Sequence, residues 1–221
     1  IELINNQQSG SDILVIDDNS PDGTARKVED LKLKNIFLIE RESKQGLGSA
    51  YVKGFKWALS NNYDRIIQMD ADLSHDPIEI NPMFELLDNN DLVIGSRYIG
   101  GLRVINWPVS RLYISYFANI YARIITGVPV KDLTAGFKAW KSDTLNKINI
   151  EECSSQGYCF QIETSFRAHQ KSCKLIEHPI VFTDRTVGES KMSKSVMIEA
   201  IFKVWFCLLY TSPSPRDGFT S

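Results

Sequence analysis

Short apolar runs alternate with polar loops and with helical periodicity along the first hundred residues of the chain. Ile13 to Ile16 is the first apolar run, and it ends in Asp17-Asp18. A stretch rich in turn residues then leads to a helix that begins near Thr24. An apolar run bounded by turn residues predicts a buried strand. The pattern therefore predicts a strand, a loop and a helix, in that order.

Two further cycles of the same kind follow. Strands are predicted at Asn35 to Glu40, Arg65 to Met69 and Asp91 to Gly95, and helices at Ser49 to Ser60 and Ile78 to Leu87. This alternation is typical of a mainly parallel sheet that is covered by helices. The predicted fold class is therefore α/β.

Beyond Gly100 the pattern changes. Arg111 to Thr126 has the character of a helix, a loop punctuated by glycines follows, and Lys174 to Phe182 is predicted to be the last strand. Ser193 to Tyr210 is the most apolar stretch, but charged residues interrupt it and it falls short of the ~20 apolar residues that span a bilayer. We expect an interfacial or packed helix there, and no transmembrane segment.

Composition bounds the number of domains and the class of partner. The chain has 221 residues, of which 43% are hydrophobic and 24% charged, which suits one domain with a sizeable core. We expect that domain at residues 1–206 and a non-native or disordered tail at residues 207–221. The net charge of -2 argues against a nucleic-acid partner. Four cysteines without a metal-binding or paired spacing predict reduced thiols on the cytosolic side.

Two acidic pairs follow predicted strands. Asp70 and Asp72 flank Ala71 after one strand, and Asp17-Asp18 follows an earlier one. In open α/β sheets ligands collect beyond the carboxyl ends of the strands. Two carboxylates at this spacing can hold Mg²⁺ or Mn²⁺, with a diphosphate and water completing the shell. The alternative is that these carboxylates only cap turns and helices.

Three cations fall beyond predicted strands and could contact the same diphosphate. They are Arg97, Arg185 and Lys191. Arginine forms bidentate bonds with phosphate, and lysine supplies a point charge. His75, His169 and His178 show no metal-ligand spacing, so surface or core roles are predicted for them.

Seven motifs occur in order along the chain. They are Val15 to Thr24 (VIDDNSPDGT), Gly46 to Tyr51 (GLGSAY), Met69 to His75 (MDADLSH), Gly95 to Tyr98 (GSRY), Asp132 to Phe137 (DLTAGF), Gly157 to Glu163 (GYCFQIE) and Phe182 to Lys191 (FTDRTVGESK). Together they resemble the dolichyl-phosphate and polyprenyl-phosphate mannose synthases, which are inverting glycosyltransferases of the family 2 type with the GT-A fold. The resemblance extends from about residue 1 to about residue 206.

The resemblance implies a role for each candidate residue. Ile16 and Asp18 would contact the nucleoside; Asp70, Ala71 and Asp72 the sugar diphosphate and the metal; and Arg97, Arg185 and Lys191 the phosphates. Asp72, Arg185 and Lys191 would be the catalytic residues.

The implied reaction is the transfer of mannose from GDP-mannose to dolichyl or polyprenyl phosphate with inversion. It would take place on the cytoplasmic face of a membrane, to which the protein binds peripherally. The lipid would follow apolar surfaces at Arg111 to Thr126 and Met197 to Leu209. Because a phosphate acceptor is already ionised, no catalytic base is needed, and replacing His75 is expected to matter little.

Two departures from the family pattern matter for donor and metal binding. The family's first strand, with a nucleotide-binding motif, would precede Ile1. Ser74 stands where some members have a glutamine that binds the metal, which leaves the third protein ligand open.

Other classes of function fit parts of the pattern. A polyprenyl-phosphate glucosyltransferase that uses UDP-glucose would share these motifs. A receiver-like signalling domain also has acidic residues after two strands, and a non-catalytic nucleotide-sugar-binding domain would keep the same cleft. A Rossmann oxidoreductase is disfavoured because no GxGxxG motif joins the first strand to its helix.

Overall fold

The computed structural model describes residues 1–7 and 10–184. Several predictions fall on residues outside these ranges. They concern Arg185, Lys191, the segment Met197 to Leu209 and the tail at residues 207–221. The extent of the domain, expected at residues 1–206, likewise remains a proposal.

Helices and strands alternate along the described part of the chain. The strands are β1 (Ile13–Asp17), β2 (Ile36–Glu40), β3 (Arg65–Gln68), β4 (Leu92–Ser96), β5 (Val104–Ile105), β6 (Lys138–Lys141), β7 (Leu175–Pro179) and β8 (Phe182–Thr183). The helices are α1 (Glu2–Gln7), α2 (Thr24–Asp30), α3 (Leu47–Ser60), α4 (Ile80–Leu87), α5 (Val109–Thr126), α6 (Ser142–Lys147) and α7 (Tyr158–Gln170), with 3₁₀ turns at Pro77–Glu79 and Ile150–Glu152. The strands and helices predicted before residue 100 are confirmed to within about two residues.

The largest sheet has the strand order β3-β6-β4-β7. β4 and β7 pair in parallel, whereas β6 runs antiparallel to both β3 and β4. Three of its four strands therefore share one direction, and their carboxyl ends meet at one edge. β1 and β2 form a separate parallel pair, as do β5 and β8. The α/β fold class is confirmed, with one reversed strand inside the sheet.

Two predictions about the second half of the chain are wrong. The stretch predicted as a glycine-punctuated loop contains β6, α6 and α7. α7 was missed because it buries polar side chains, so that no apolar stripe marks it in the sequence. The single last strand predicted at Lys174 to Phe182 is two strands, β7 and β8. They separate after Pro179, which has no N–H to donate, and β8 pairs with β5.

Apolar side chains pack on both faces of the largest sheet. Along β4, Leu92 and Ile94 point into one cluster and Val93 into the other, as the two-residue repeat of a strand requires. The first cluster includes Phe55 of α3 and Phe160 of α7. The second is built from α4, with Ile80, Met83 and Leu87. All of these side chains are buried.

The helix α3 packs against both β1 and β3. Among the described strands, β1 pairs with β2 alone and β3 with β6 alone, so each has one edge without a strand partner. α3 thus connects the β1-β2 sheet to the four-stranded sheet.

A lysine side chain lies inside the core. Lys138 of β6 is fully buried, and its Nζ lies 2.7 Å from the carbonyl oxygen of Gln161, 2.9 Å from Ser165 Oγ and 3.2 Å from Thr164 Oγ1. Burial lowers the pKa of Lys138 to about 7, against a partial opposing effect of the Asp132 charge. The neutral amine is therefore favoured in the folded state above neutral pH.

Lys138 should make stability depend on pH. The folded-state pKa lies below the unfolded-state value, so the folded chain binds fewer protons between them and the free energy of unfolding rises with pH. We expect the wild type to gain stability relative to Lys138→Met between about pH 7 and pH 9, by at most about 1.4 kcal/mol per pH unit. Denaturant unfolding across this pH range measures the difference.

Lys56→Met is the matched control, since the side chain of Lys56 is half exposed and pairs with Glu151 at the surface. It should follow the wild-type pH dependence. Parallel curves for the wild type and Lys138→Met would contradict a lowered pKa at Lys138.

Candidate active site

The carboxylate of Asp70 lies directly beyond the carboxyl end of β3. Its Oδ1 accepts a hydrogen bond of 3.0 Å from the hydroxyl of Tyr51 in α3. Its backbone N–H donates to Nδ1 of His75 at 3.1 Å. Both the side chain and the backbone of Asp70 are therefore held by residues outside the predicted metal-binding pair.

Asp72 lies in the turn that the hydrogen bond between Asp70 and His75 closes. Its Oδ1 accepts a 3.1 Å hydrogen bond from the backbone N–H of Ser74. The next residue, Leu73, adopts a left-handed conformation with φ of 64° and is largely exposed. A left-handed conformation costs a residue with a side chain roughly 1–2 kcal/mol. The turn that carries the two carboxylates is thus locally strained and held in shape by their hydrogen bonds.

His75 is a buried residue whose ring is fixed by aromatic contacts. It stacks on Phe137 at 4.9 Å between ring centroids and meets the edge of Phe182 at 5.4 Å. Burial lowers the pKa of His75, partly offset by the charges of Asp70 and Asp72. A neutral ring is consistent with Nδ1 acting as an acceptor. The core role predicted for this histidine fits its burial, and its hydrogen bond to Asp70 also links it to the site.

Tyr51 is held equally firmly. Its ring stacks on Phe160 with a centroid separation of 5.8 Å and an interplanar angle of 7°. Burial raises the pKa of Tyr51 well above its usual value, and the charges of Asp70 and Asp72 add to the effect. The hydroxyl is therefore protonated at neutral pH and donates to the carboxylate.

Gly136 borders the carboxylate of Asp70. A Cβ atom at position 136 would lie 3.5 Å from Asp70 Oδ2 and 3.8 Å from the ring of His75. The missing side chain leaves space on this side of the carboxylate. This space suits a ligand that approaches Asp70.

Asp18, directly after β1, forms an ion pair with Arg41, directly after β2. Arg41 also donates to Ser49 Oγ at 2.7 Å, and its side chain is almost fully buried. Asp17 is buried and accepts a 2.9 Å bond from the backbone N–H of Ser20. Ile16 is half-buried on β1, and its side chain would contact a Cβ added at Gly54 of α3.

The first turns of α3 connect the two acidic clusters. Ser49 contacts Arg41, which holds Asp18, and Tyr51 contacts Asp70. Residues two apart in a helix are separated by about 3 Å along its axis. The structure therefore brings both predicted acidic clusters to the same end of one helix, as the strand-end argument predicts.

Arg97 lies in the interior of the fold. It follows β4, is buried, and forms a bidentate pair with Asp132 at 2.6 and 2.7 Å. Burial alone would lower the pKa of Arg97, but the charge and hydrogen bonds of Asp132 outweigh this and raise it. A third bond reaches Thr134 Oγ1 at 2.7 Å. These contacts hold the loop before β6, and phosphate binding by Arg97 remains a prediction.

A second arginine lies near this pair and was not singled out from the sequence. Arg111 of α5 forms a 2.7 Å ion pair with Asp184 and lies over the ring of Trp107 at 4.2 Å. Its Nε is buried without a hydrogen-bond partner in the described part of the chain. Arg41, Tyr51 and Asp132 were also not predicted as site residues, although Tyr51 and Asp132 lie in motifs of the resemblance.

The helix α5 carries a row of exposed apolar side chains. Val109, Tyr113, Phe117 and Ile124 are 66%, 60%, 61% and 74% exposed, at spacings of four and seven residues that place them on one face. A groove of about 460 Å³ runs beside this face. Its lining includes Tyr98, Leu102, Leu112, Tyr113, Tyr116 and Lys131.

Within residues 1–7 and 10–184, no cluster of three or more histidine, cysteine or acidic side chains is arranged to hold a metal ion. No helix in this part of the chain combines the length and apolar character needed to cross a bilayer. The described cysteines Cys153, Cys159 and Cys173 are buried thiols.

The fold is that of a GT-A glycosyltransferase. A family model described as "Glycosyl transferase family 2" matches residues 1–148. The chain belongs to this family and is a glycosyltransferase. The family assignment replaces the alternative of a receiver-like signalling domain.

Two relatives are much more similar to this chain than family membership requires. The undecaprenyl-phosphate mannosyltransferase of Micrococcus luteus is 42% identical over 199 residues, covering 88% of this chain and 81% of the relative. The polyprenol monophosphomannose synthase of Mycolicibacterium smegmatis is 45% identical over 196 residues, covering 87% of this chain and 74% of the relative. The predicted resemblance to polyprenyl-phosphate mannose synthases is confirmed.

Solved structures show the same fold at low identity. The glucosyl-3-phosphoglycerate synthase of Mycobacterium tuberculosis in complex with UDP matches with a TM-score of 0.59 at 15% identity, over 91% of this chain and 70% of that one. The same enzyme with Mn²⁺, UDP-glucose and phosphoglyceric acid matches with a TM-score of 0.57 over 91% and 69%. These likenesses establish the fold.

Proposed function

We propose that this glycosyltransferase transfers mannose from GDP-mannose to a polyprenyl or dolichyl phosphate, with inversion at the anomeric carbon. The observation that carries the proposal is the 42% and 45% identity, over almost nine-tenths of the chain, to enzymes named for mannosyl transfer to polyprenyl phosphates. The carboxylate of Asp70, which follows β3 and is oriented by Tyr51, would lie where the nucleotide-sugar donor binds.

Asp70 and Asp72 would bind Mg²⁺ or Mn²⁺. Carboxylate oxygens are the ligands that these hard cations prefer. Asp70 and Asp72 are both only partly buried, and the glycine at position 136 places no side chain against Asp70 Oδ2, so the residues present fit the ion. Since two protein carboxylates are too few for octahedral coordination, diphosphate and water oxygens would complete it. When bound, the ion neutralises negative charge that develops on the leaving diphosphate.

The acceptor supplies its own nucleophile. A phosphate monoester has a second pKa of about 6 and is largely dianionic at neutral pH. Its oxygen forms a bond to the anomeric carbon, while the bond from that carbon to the donor's diphosphate breaks and its electron pair leaves with GDP. The attack comes from the face opposite the leaving group, which inverts the configuration.

The remaining predicted residues surround the donor. Ile16 and Asp18 would contact the nucleoside, and Ala71 would lie against the sugar diphosphate. Arg185 and Lys191 would stabilise charge on the leaving phosphates. Arg97 would assist them only if part of its guanidinium remained available beside Asp132 and Thr134.

The lipid part of the acceptor needs an apolar path. The exposed face of α5 and the groove beside Tyr113 and Tyr116 provide one, with Lys131 in the groove as a cation. The face extends along an 18-residue helix, or about 27 Å. We propose that it rests on the cytoplasmic surface of a membrane, where aromatic side chains are favoured at the interface.

The defining experiment offers two donors to one acceptor. The chain is incubated with polyprenyl phosphate and either GDP-mannose or UDP-glucose, with and without Mg²⁺ or Mn²⁺, and glycosyl-lipid is measured. A mannolipid formed only with GDP-mannose and metal supports the proposal. A glucolipid from UDP-glucose would replace it with the glucosyltransferase, and donor binding without any product would indicate a non-catalytic sugar-nucleotide domain.

The variant Asp72→Asn should lose most of this activity. The amide keeps the size of the side chain but removes the charge that attracts the cation. We expect the metal-dependent rate of mannolipid formation to fall by roughly two orders of magnitude or more.

Asp76→Asn is the control in the same loop. Asp76 caps the turn Pro77–Glu79 by accepting a bond from the Ile78 N–H, which asparagine can also accept. It should retain near-wild-type activity. Full metal-dependent turnover by Asp72→Asn would remove Asp72 from the active site.

Adding charge to α5 should weaken membrane binding. Tyr113 and Phe117 stack on each other on the exposed face, at 6.4 Å between ring centroids. Burying one such side chain contributes about 1.5–3 kcal/mol, so Tyr113→Asp with Phe117→Asp should reduce affinity about tenfold or more. Sedimentation with vesicles of phosphatidylcholine and phosphatidylglycerol measures this.

Leu33→Asp adds one negative charge, where the α5 variant adds two, at another exposed apolar residue before β2, and it should not change binding. An unchanged thermal transition verifies that each variant is folded. Equal sedimentation of the wild type and the α5 variant would exclude α5 as the membrane-binding surface.

A further inference from the structure

We propose that Tyr51 and His75 are positioning residues, which together fix the carboxylate of Asp70 in the orientation that receives the cation and the donor diphosphate. This inference rests on the proposed function, because it gives these two residues a role toward the metal ion. The sequence motifs include both residues but do not assign them to the site, and for His75 the hydrogen bond to Asp70 replaces the expectation that its substitution matters little.

Tyr51 holds the side chain of Asp70. Tyr51 donates to Oδ1 of Asp70 at 3.0 Å, and its own ring is stacked in parallel on Phe160. A carboxylate offers about four lone-pair positions, so this one bond leaves acceptor capacity for a cation. Partners that orient metal-binding carboxylates also tune the affinity for the metal. Tyr51 therefore selects one rotamer of Asp70 and leaves lone pairs of this carboxylate available to a cation.

His75 holds the backbone of Asp70. His75 accepts from the N–H of Asp70, and its ring is held between Phe137 and Phe182. This bond closes a turn that includes the left-handed Leu73. Because a strained turn persists only when its surroundings hold it, His75 contributes to keeping Asp70 and Asp72 on the same side of the loop.

The charge of the hydrogen-bond donor distinguishes Asp70 from two other aspartates. Asp18 and Asp132 pair with arginines, and these ion pairs compensate their charge. Among the described residues, the hydrogen bond that the side chain of Asp70 accepts comes instead from a neutral hydroxyl. A neutral donor orients a carboxylate and leaves its net charge to attract a cation. Asp70 therefore differs from the two aspartates that pair with arginine, and its surroundings suit a metal ligand.

The test measures Mn²⁺ binding directly, apart from turnover. The full chain is titrated with Mn²⁺ alone, and free Mn²⁺ is followed by electron paramagnetic resonance. Tyr51→Phe keeps the stacked ring and removes only the hydroxyl, so we expect the fold to persist and Mn²⁺ affinity to fall about tenfold. Tyr63→Phe is the matched control, because Tyr63 donates to Asp12 away from the site, and its affinity should be unchanged.

A second pair of variants tests the histidine. His75→Leu removes the acceptor for the Asp70 N–H, whereas the side-chain oxygen of His75→Asn can replace Nδ1. We expect weaker Mn²⁺ binding in His75→Leu and partial recovery in His75→Asn, with thermal unfolding recorded for both. Equal weakening in the two variants would show that Mn²⁺ binding depends on the ring and not on the hydrogen bond, and would overturn the hydrogen-bonding role of His75.

The outcomes separate this proposal from the proposed function. Suppose that the wild type binds Mn²⁺ and that Asp72→Asn does not. Wild-type Mn²⁺ affinity in Tyr51→Phe would then overturn the positioning role of Tyr51 and leave the metal site intact. Failure of the wild type to bind Mn²⁺ would overturn the metal site and the positioning roles together. Formation of a glucolipid would change the proposed function without affecting the positioning roles.

Discussion

The antiparallel pairing of β6 between β3 and β4 is the constraint on which the site depends. Its register places Lys138 opposite Gln68, the last residue of β3, so that the residues before β6 border the turn that carries the acidic pair. The amide of Gln68 strengthens this junction, since it donates to the carbonyl oxygen of Gly136 and accepts from Trp140 Nε1. The space at Gly136 and the ring of Phe137 beneath His75 follow from this one register. Slipping β6 by one residue would move its side chains to the opposite face of the sheet, so that Trp140 and Ala139 would exchange apolar clusters.

The helix α3 supplies the second constraint, because it packs against both the β1-β2 sheet and the four-stranded sheet. No described strand of one sheet pairs with a strand of the other. Its apolar face packs in the core through Phe55, and its first turns reach both acidic clusters through Ser49 and Tyr51. A helix is stiff over this length, so it fixes the position of Arg41 with Asp18 relative to Asp70. The same helix therefore stabilises the fold and sets the geometry between the expected nucleoside and diphosphate positions.

The sequence predicted the parts of this arrangement that local patterns encode. The strands β1, β3 and β4 are apolar runs followed by turn residues, and Asp70 and Asp72 stand in a recognisable motif. β6 was missed because lysines begin and end it, and one of them is buried in the core against the usual preference of lysine for solvent. The partners of Asp70 were missed for a different reason. Tyr51 lies 19 residues away in sequence, and its helical spacing indicated only an apolar core position.

Charge placement explains why an acidic edge can be both stable and receptive to a cation. Uncompensated carboxylates at neighbouring strand ends repel one another, which raises the free energy of the folded state. The structure limits this repulsion by pairing Asp18 with Arg41 and the buried Asp132 with Arg97. Removing one partner of the buried pair of Asp132 and Arg97 would cost about 3–5 kcal/mol, so this pair belongs to the fold as much as to the site. Asp70, oriented by a hydroxyl, keeps the negative charge that a bound cation would neutralise, and cation binding should therefore stabilise the folded chain as well as the leaving diphosphate.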